Sequence, residues 1–280
     1  MHPLLFSPKS VFWRVNREFT TGLAGPRAVL MQIAHPLVAA GVAEHSRFRD
    51  HRLARLYRTS IAAASVTFGS RKLAARAVNS INRIHTRVHG VLSSDVGKFP
   101  AGTPYDANDP ELKLWVLSTI TDSALRVYEL FVAPLSLKEK ELYYRDSLTL
   151  ARMFDIPESI IPPGYSEFTC YMTGMLENGA VCIGDDAKTI AAALFSDSAV
   201  GKLLFAGSAV GIGLLPERLR SDFGLHWNSR RENYLRTAAA CSTRLRRHLP
   251  SFLCSNPFAT MSSLVMMTRQ RDPDPALQQH

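Results

Sequence analysis

Arg55, Arg58 and Thr59 stand three and four residues apart within a stretch of helical periodicity, and His85 and His89 follow downstream as an i, i+4 pair. Such spacings put side chains on one helix face, and Arg52 lies one turn earlier on the same side. Beyond Thr59 the chain turns apolar, Ile61-Ala62-Ala63-Ala64-Ser65-Val66, so this face is expected to point into protein. A buried guanidinium is costly unless it meets an anion. Imidazole is the commonest protein donor to a metal. An anionic, metal-bearing cofactor such as haem would meet both demands at once. The alternative is that the Arg side chains pair with acids at the surface end of a half-buried helix and that the histidines are exposed.

The His pair narrows the chemistry. Two imidazoles at i, i+4 on a helix can share one metal, and either alone can be an axial haem ligand. Positions 86–88 are Thr, Arg and Val, so the His-Glu-x-x-His arrangement of a metalloprotease is absent. Asp95 is the nearest downstream acid, in a loop, at no matching spacing for a two-His-one-carboxylate iron site. His85 follows Ile81 and Ile84 and precedes Val88, which sets it nearer the apolar stripe than His89. His35, in Ala34-His35-Pro36, lies in a strongly apolar segment and needs a hydrogen-bond partner or a ligand. His45-Ser46 resembles a helix terminus, where an imidazole can meet free carbonyls. No Gly-x-Ser-x-Gly elbow accompanies these histidines, which disfavours serine hydrolysis.

Helices must position these groups. Residues 28–42 carry an i, i+3/i+4 apolar stripe, and Pro36 predicts a kink or restart near Ala34-His35-Pro36. Residues 52–68 read as a second helix, nearly apolar after Thr59 and therefore centrally buried, with Gly69 ending it. Residues 73–91 read as a third, closed by Gly90 or the loop after it. Residues 93–109 form a long irregular stretch with Gly97, Pro100, Gly102 and Pro104, a length that is often functional. Asp109-Pro110-Glu111 opens the next helix, with Asp as N-cap and Pro at N1. It runs towards Val132 and stops at Pro134. Ser136 with Glu139 is a capping box. Further helices are expected over 166–175, 187–195, 199–214, 216–222, 228–247 and 257–268. Ala180 to Ile183 is the sole strand candidate. The fold class is all-α, one domain over 1–268, with a polar, disordered tail at 269–280.

Composition bounds the partners. The 280 residues are 46% hydrophobic and 20% charged, with a net charge of +9. Residues 217–249 hold eight Arg against three acids; Gly224, His226 and Trp227 interrupt them, as on a solvated helical surface. No zinc-finger spacing, RNA-binding aromatic signature or basic tail appears, so nucleic acid is not an expected partner. Cys170, Cys182, Cys241 and Cys254 form no C-x-x-C pair, which fits free buried thiols in a reducing compartment. The N-terminus lacks a basic n-region and a long apolar run. The most apolar segment, 203–215, is too short to span a bilayer. A cytoplasmic protein, with peripheral membrane contact left open, is expected. The oligomeric state is not legible.

An ordered set of residues adds a resemblance. It runs Leu30-Met31-Gln32-Ile33-Ala34-His35-Pro36, Gly41-Val42, His45-Ser46, Arg55-Leu56, Arg58-Thr59 and Phe68-Gly69. It continues through His85-Thr86-Arg87-Val88-His89-Gly90, Tyr105-Asp106-Ala107, Asp109-Pro110 and Trp115-Val116. This resembles the catalytic domain shared by the MpaB oxygenases and the rubber oxygenases called latex clearing proteins, over residues 10–260. The resemblance implies an all-helical fold with a globin-like core and a haem-b pocket. It implies cleavage of carbon–carbon double bonds with dioxygen in a small hydrophobic, isoprenoid or other alkene substrate. Arg55 and Thr59 match the family's residues beside the haem. The rubber enzymes carry Lys at the position of Arg58, and an always-protonated Arg cannot ligate iron. The axial histidine carries over to His85, in the His-x-x-Val-x-Gly pattern, with His89 as alternative. Arg27 and His35 complete the candidate cofactor contacts. Phe68, Val66 and Trp115 are expected to line the substrate pocket. The other expectations are a haem-binding carrier, sensor or peroxidase-like protein without oxygenase activity, or a helical binding protein with no cofactor.

Overall fold

Local sequence signals decide where the helices begin. In the computed structural model, residues 4–45, 52–194 and 209–262 are described, with backbone alone for 52–58. Helix α1 (Val11–Asn16) starts where Ser10 accepts a hydrogen bond from the Trp13 amide. A short 3₁₀ turn, Phe19–Leu23, leads into α2 (Ala24–Ile33). Pro36 then forces the expected restart, and α3 runs Pro36–His45. Helices α4 (Arg52–Phe68) and α5 (Arg71–His85) pack together as a hairpin across Gly69-Ser70. A Cβ at Gly69 would lie 2.2 Å from the Ser65 carbonyl oxygen, so the turn demands glycine. The N-terminal strand segment pins this turn, with the Leu5 amide donating to the Gly69 carbonyl.

Helix α6 (Pro110–Phe131) is the centre of the fold. Asp109 caps it, accepting from the Glu111 and Leu112 amides, with Pro110 in the first turn. Helix α7 (Leu137–Met153) opens on the Ser136/Glu139 capping box, with both reciprocal bonds formed. Helices α8 (Tyr165–Glu177), α9 (Asp185–Leu194), α10 (Glu217–Asp222) and α11 (Ser229–Arg246) complete the set, with a helical turn at 209–213. The fold is all-α apart from one two-stranded antiparallel ribbon. Its strands are β1 (His89–Val91) and β2 (Pro104–Asp106), with Gly90 opposite Tyr105.

That ribbon corrects two expectations. The third helix stops at His85 rather than near Gly90, so His85 and His89 do not form a helical i, i+4 pair; His89 is an exposed strand residue. Residues 180–183 are irregular, and the strands lie elsewhere. Pairing with a distant segment decided the outcome, which three residues of local pattern could not signal. The first part of the helix expected over 199–214, the end of that over 257–268 and the tail at 269–280 lie outside the described residues.

Two large apolar clusters meet at α6. Leu125 and Phe131 join Trp13, Phe68 and Tyr143 in one. Trp115 joins Leu30, Ile33, Phe168 and Ile190 in the other. A charged pair sits where α2 crosses α6. Arg27 is 1% exposed and its NH2 meets Asp122 at 2.7 Å. Its NH1 donates to Ser123 Oγ at 2.7 Å and its Nε to the Leu214 carbonyl at 2.9 Å. Burial pushes the Arg27 pKa down and Asp122 opposes that shift. Removing one partner strands a buried charge. Asp122→Ala is expected to destabilise the protein by about 3 kcal/mol or more, read as a drop in the denaturant midpoint. The double variant Arg27→Met/Asp122→Leu is expected to recover most of the loss.

Candidate functional site

Helix pairing brings the sequence candidates of α4 and α5 together. A two-residue link between hairpin helices sets the first turn of α4 level with the last turn of α5. Arg55 and His85 stand at those levels in the chain. The side chains of Arg55 and Arg58 lie outside the described residues. Thr59 is exposed on α4, contrary to the expectation that this face points into protein. The burial of α4 is one-sided: Ala64, Val66 and Phe68 are in the core, while Ser60 and Ala63 face solvent. Alanine is small enough to leave exposed at little cost, so an Ala-rich run does not demand central burial.

His85 closes α5 half-buried, where a cationic or polar side chain is favoured by the helix dipole. Its Nδ1 is buried and has no hydrogen-bond partner. Burial lowers its pKa, helped by Lys113 and opposed by Asp106. The ring is thus biased to the neutral form that can donate a lone pair to a metal. Among the described residues, no three His, Cys, Asp or Glu side chains converge as a metal cage.

The ribbon beyond His85 is fastened to the end of α3 by a polar relay that no spacing rule announced, in which Tyr105 is buried and Glu44 and His45 are exposed. His45 Nε2 lies 3.1 Å from the His89 carbonyl oxygen, so it carries the proton and donates. The same nitrogen is 3.2 Å from the Tyr105 hydroxyl, which in turn donates to Glu44 at 2.5 Å. Burial and the Glu44 carboxylate push the Tyr105 pKa above its usual range. His45 does meet a carbonyl, as its place near a helix end suggests, but that carbonyl belongs to β1. Gly90 makes room for Tyr105, since a Cβ there would sit 2.6 Å from its hydroxyl, and Gly41 makes room for Val88, which a Cβ would approach to 3.2 Å. Two glycines and a tyrosine in the ordered set were the available signal.

The remaining candidates disperse. Arg27 has each of its three nitrogens on a protein acceptor, so the structure commits it to joining α2, α6 and the 209–214 segment. Phe68 and Val66 are buried in one core cluster and Trp115 in the other. The three do not line a common pocket, because α6 buries its two ends in different clusters.

His35 is 5% exposed at the start of α3, tilted against Phe99 with ring centroids 5.4 Å apart. Its Nδ1 is buried without a partner. Burial, with help from Lys98 and against Asp109, lowers its pKa from 6.5 to about 4. A histidine with a lowered folded-state pKa takes up its proton more readily when unfolded. Its contribution to stability is therefore complete above pH 6.5 and lost as pH falls towards 4. The full loss is about 3 kcal/mol. Thermal melts from pH 7 to pH 4 are expected to show that decline, and His35→Phe is expected to flatten it.

Residues 13–244 match the family described as "ER-bound oxygenase mpaB/B'/Rubber oxygenase, catalytic domain". The chain is 28% identical over 153 residues to the uncharacterised protein Rv2237 of Mycobacterium tuberculosis and to the uncharacterised protein Mb2261 of Mycobacterium bovis. Those matches take in 53% of this chain and 57% of each relative, so the chain spans little more than half the length of the curated relatives it matches. No solved structure matches. No described helix is long and apolar enough to cross a membrane. With 13–244 covered, and with the ordered motifs gathered on α3, the α4–α5 hairpin and the β1–β2 ribbon, the chain belongs to the mpaB and rubber oxygenase catalytic-domain family.

Proposed function

We propose that this chain is a haem-b-dependent oxygenase or oxidase acting on a small hydrophobic substrate, isoprenoid or another alkene, with dioxygen. The observation that carries the proposal is His85: a half-buried imidazole, biased to its neutral form, with a buried Nδ1 that no group among the described residues satisfies. The residue types in this region support the cofactor reading. A haem needs one axial imidazole and cations for its propionates, and the chain offers His85 and, on the neighbouring α4, Arg55 and Arg58.

Haem, when bound, supplies the dioxygen chemistry. His85 would hold the iron through its imidazole and tune its electronics. Arg55 and Arg58 would hold propionates or developing negative charge by charge-assisted hydrogen bonds. The Thr59 hydroxyl lies on the same helix face and can donate a hydrogen bond to a bound group. The Glu44–Tyr105–His45 relay plays a positioning part: it fixes the ribbon that leaves His85, and with it the register of the last turn of α5.

Purified protein, loaded with haem if necessary, is expected to show a Soret band. His85→Ala is expected to abolish or shift that band with the far-ultraviolet circular dichroism unchanged, and His89→Ala is expected to leave it. Loss of the band in the His89 variant alone would move the ligand to β1. Oxygen uptake with candidate alkenes then separates an oxygenase from a haem carrier, sensor or peroxidase-like protein.

A further inference from the structure

A second place in the molecule is built to receive a ligand. It is a cleft of about 360 Å3 at the start of α3, at the opposite end of that ten-residue helix from the Glu44–Tyr105–His45 relay. His35, Lys98, Phe99, Asp109, Glu111 and Tyr171 contribute to its lining. The long loop before α6, which the sequence marks as functional, forms one wall.

That wall is rigid. Val96 and Phe99 exchange backbone hydrogen bonds of 2.8 and 3.0 Å around a turn in which Gly97 adopts φ 55°. Asp95 accepts from the Ala101 amide at 2.7 Å. On the facing side, the Cys182 amide donates to the Ala34 carbonyl at 2.9 Å, fixing the chain next to His35. A Cβ at Gly97 would touch Cys182 at 3.0 Å, so the two walls are in contact at the base.

The polar groups inside are unspent. The His35 imidazole makes no hydrogen bond to any described residue, and its Nδ1 is sealed in the protein. The ring edge left to line the cleft carries Nε2. An orphaned lone pair is tolerated better than an orphaned N–H, which favours the tautomer with the proton on Nε2, turned to the cleft. With its pKa near 4 the ring is uncharged at neutral pH. The Tyr171 hydroxyl likewise has no partner among the described residues. Asp109 and Glu111 outnumber Lys98, whose ammonium already rests over the Phe99 ring at 5.6 Å. The cleft therefore offers neutral hydrogen-bonding groups between apolar walls, with a charge balance unfavourable to anions.

We propose that the His35 cleft binds a small uncharged organic molecule whose apolar body carries a carbonyl or hydroxyl oxygen that accepts from the His35 Nε2–H and the Tyr171 hydroxyl. This goes beyond the haem reading and does not depend on it. The test is a titration of protein carrying ¹³Cε1-labelled histidine, as purified, with acetophenone, ethylbenzene and benzoate as probes. Acetophenone is expected to shift the His35 resonance saturably. Ethylbenzene is expected to bind roughly fivefold more weakly, the worth of one net hydrogen bond, and benzoate more weakly than acetophenone. Tyr171→Phe is expected to weaken acetophenone binding in part, read on the same His35 resonance. Equal binding of ketone and hydrocarbon, tighter binding of benzoate, or no movement of the His35 resonance overturns the proposal. The wild-type comparison stands even if a variant fails to fold. Because the readout is the His35 resonance, its failure leaves the assignment of His85 intact, and a missing Soret band leaves the cleft intact.

Discussion

The ion pair between Arg27 and Asp122 is the constraint on which the rest of the architecture hangs. Asp122 lies on α6, the helix that takes part in both core clusters. It accepts from buried Arg27 and, with both oxygens, from Arg126 one turn along its own helix. Arg27 in turn reaches Ser123 and the Leu214 carbonyl. A buried guanidinium is tolerable only when its donors find acceptors of this quality. The approach must also be close: a Cβ at Gly211 would lie 2.8 Å from the Arg27 amide nitrogen. The pair thus fixes α2 on α6, and α2 fixes where α3 begins.

From that anchored start, α3 carries two separate pieces of chemistry at its two ends. At its start His35 faces the cleft beside the 92–103 loop. At its end Glu44 and His45 hold Tyr105 and, through the ribbon, the segment leaving His85. Family membership of residues 13–244 concerns this whole arrangement. A rigid rod between two sites makes each site's geometry depend on the same packing, since close-packed interiors transmit displacement rather than absorb it.

The basic character of the chain is used more in the interior than its surface distribution suggests. Arg246, in the Arg-dense C-terminal stretch, does not sit on a merely solvated face. It makes a two-pronged pair with Glu18, which is 2% exposed. The Phe19 amide bonds to the Cys254 carbonyl, and the Asn256 amide to that of Arg17. The two ends of the described chain are joined by these contacts. All four cysteines are free thiols but none is buried, contrary to expectation: Cys170 and Cys241 are exposed and Cys182 and Cys254 half-buried.

Helix identity was determined by the sequence where the signal was local. The Asp109-Pro110 start, the Ser136/Glu139 box, the Pro36 restart and the Gly69 stop each depend on a few adjacent residues, and each is found where expected. The apolar stripes likewise marked an all-α protein, and the ordered motifs marked the family. Tertiary structure alone decided what those residues meet. Whether His89 continued a helix or joined a strand turned on Asp106, seventeen residues on and beyond the reach of periodicity. Arg27 and Arg246 look like any other arginine in the sequence, yet burial and a distant carboxylate make them scaffold. His35 and His85 were recognisable as histidines in apolar company. That each keeps a buried nitrogen without a partner is a property of everything packed around it, and only the folded chain could supply it.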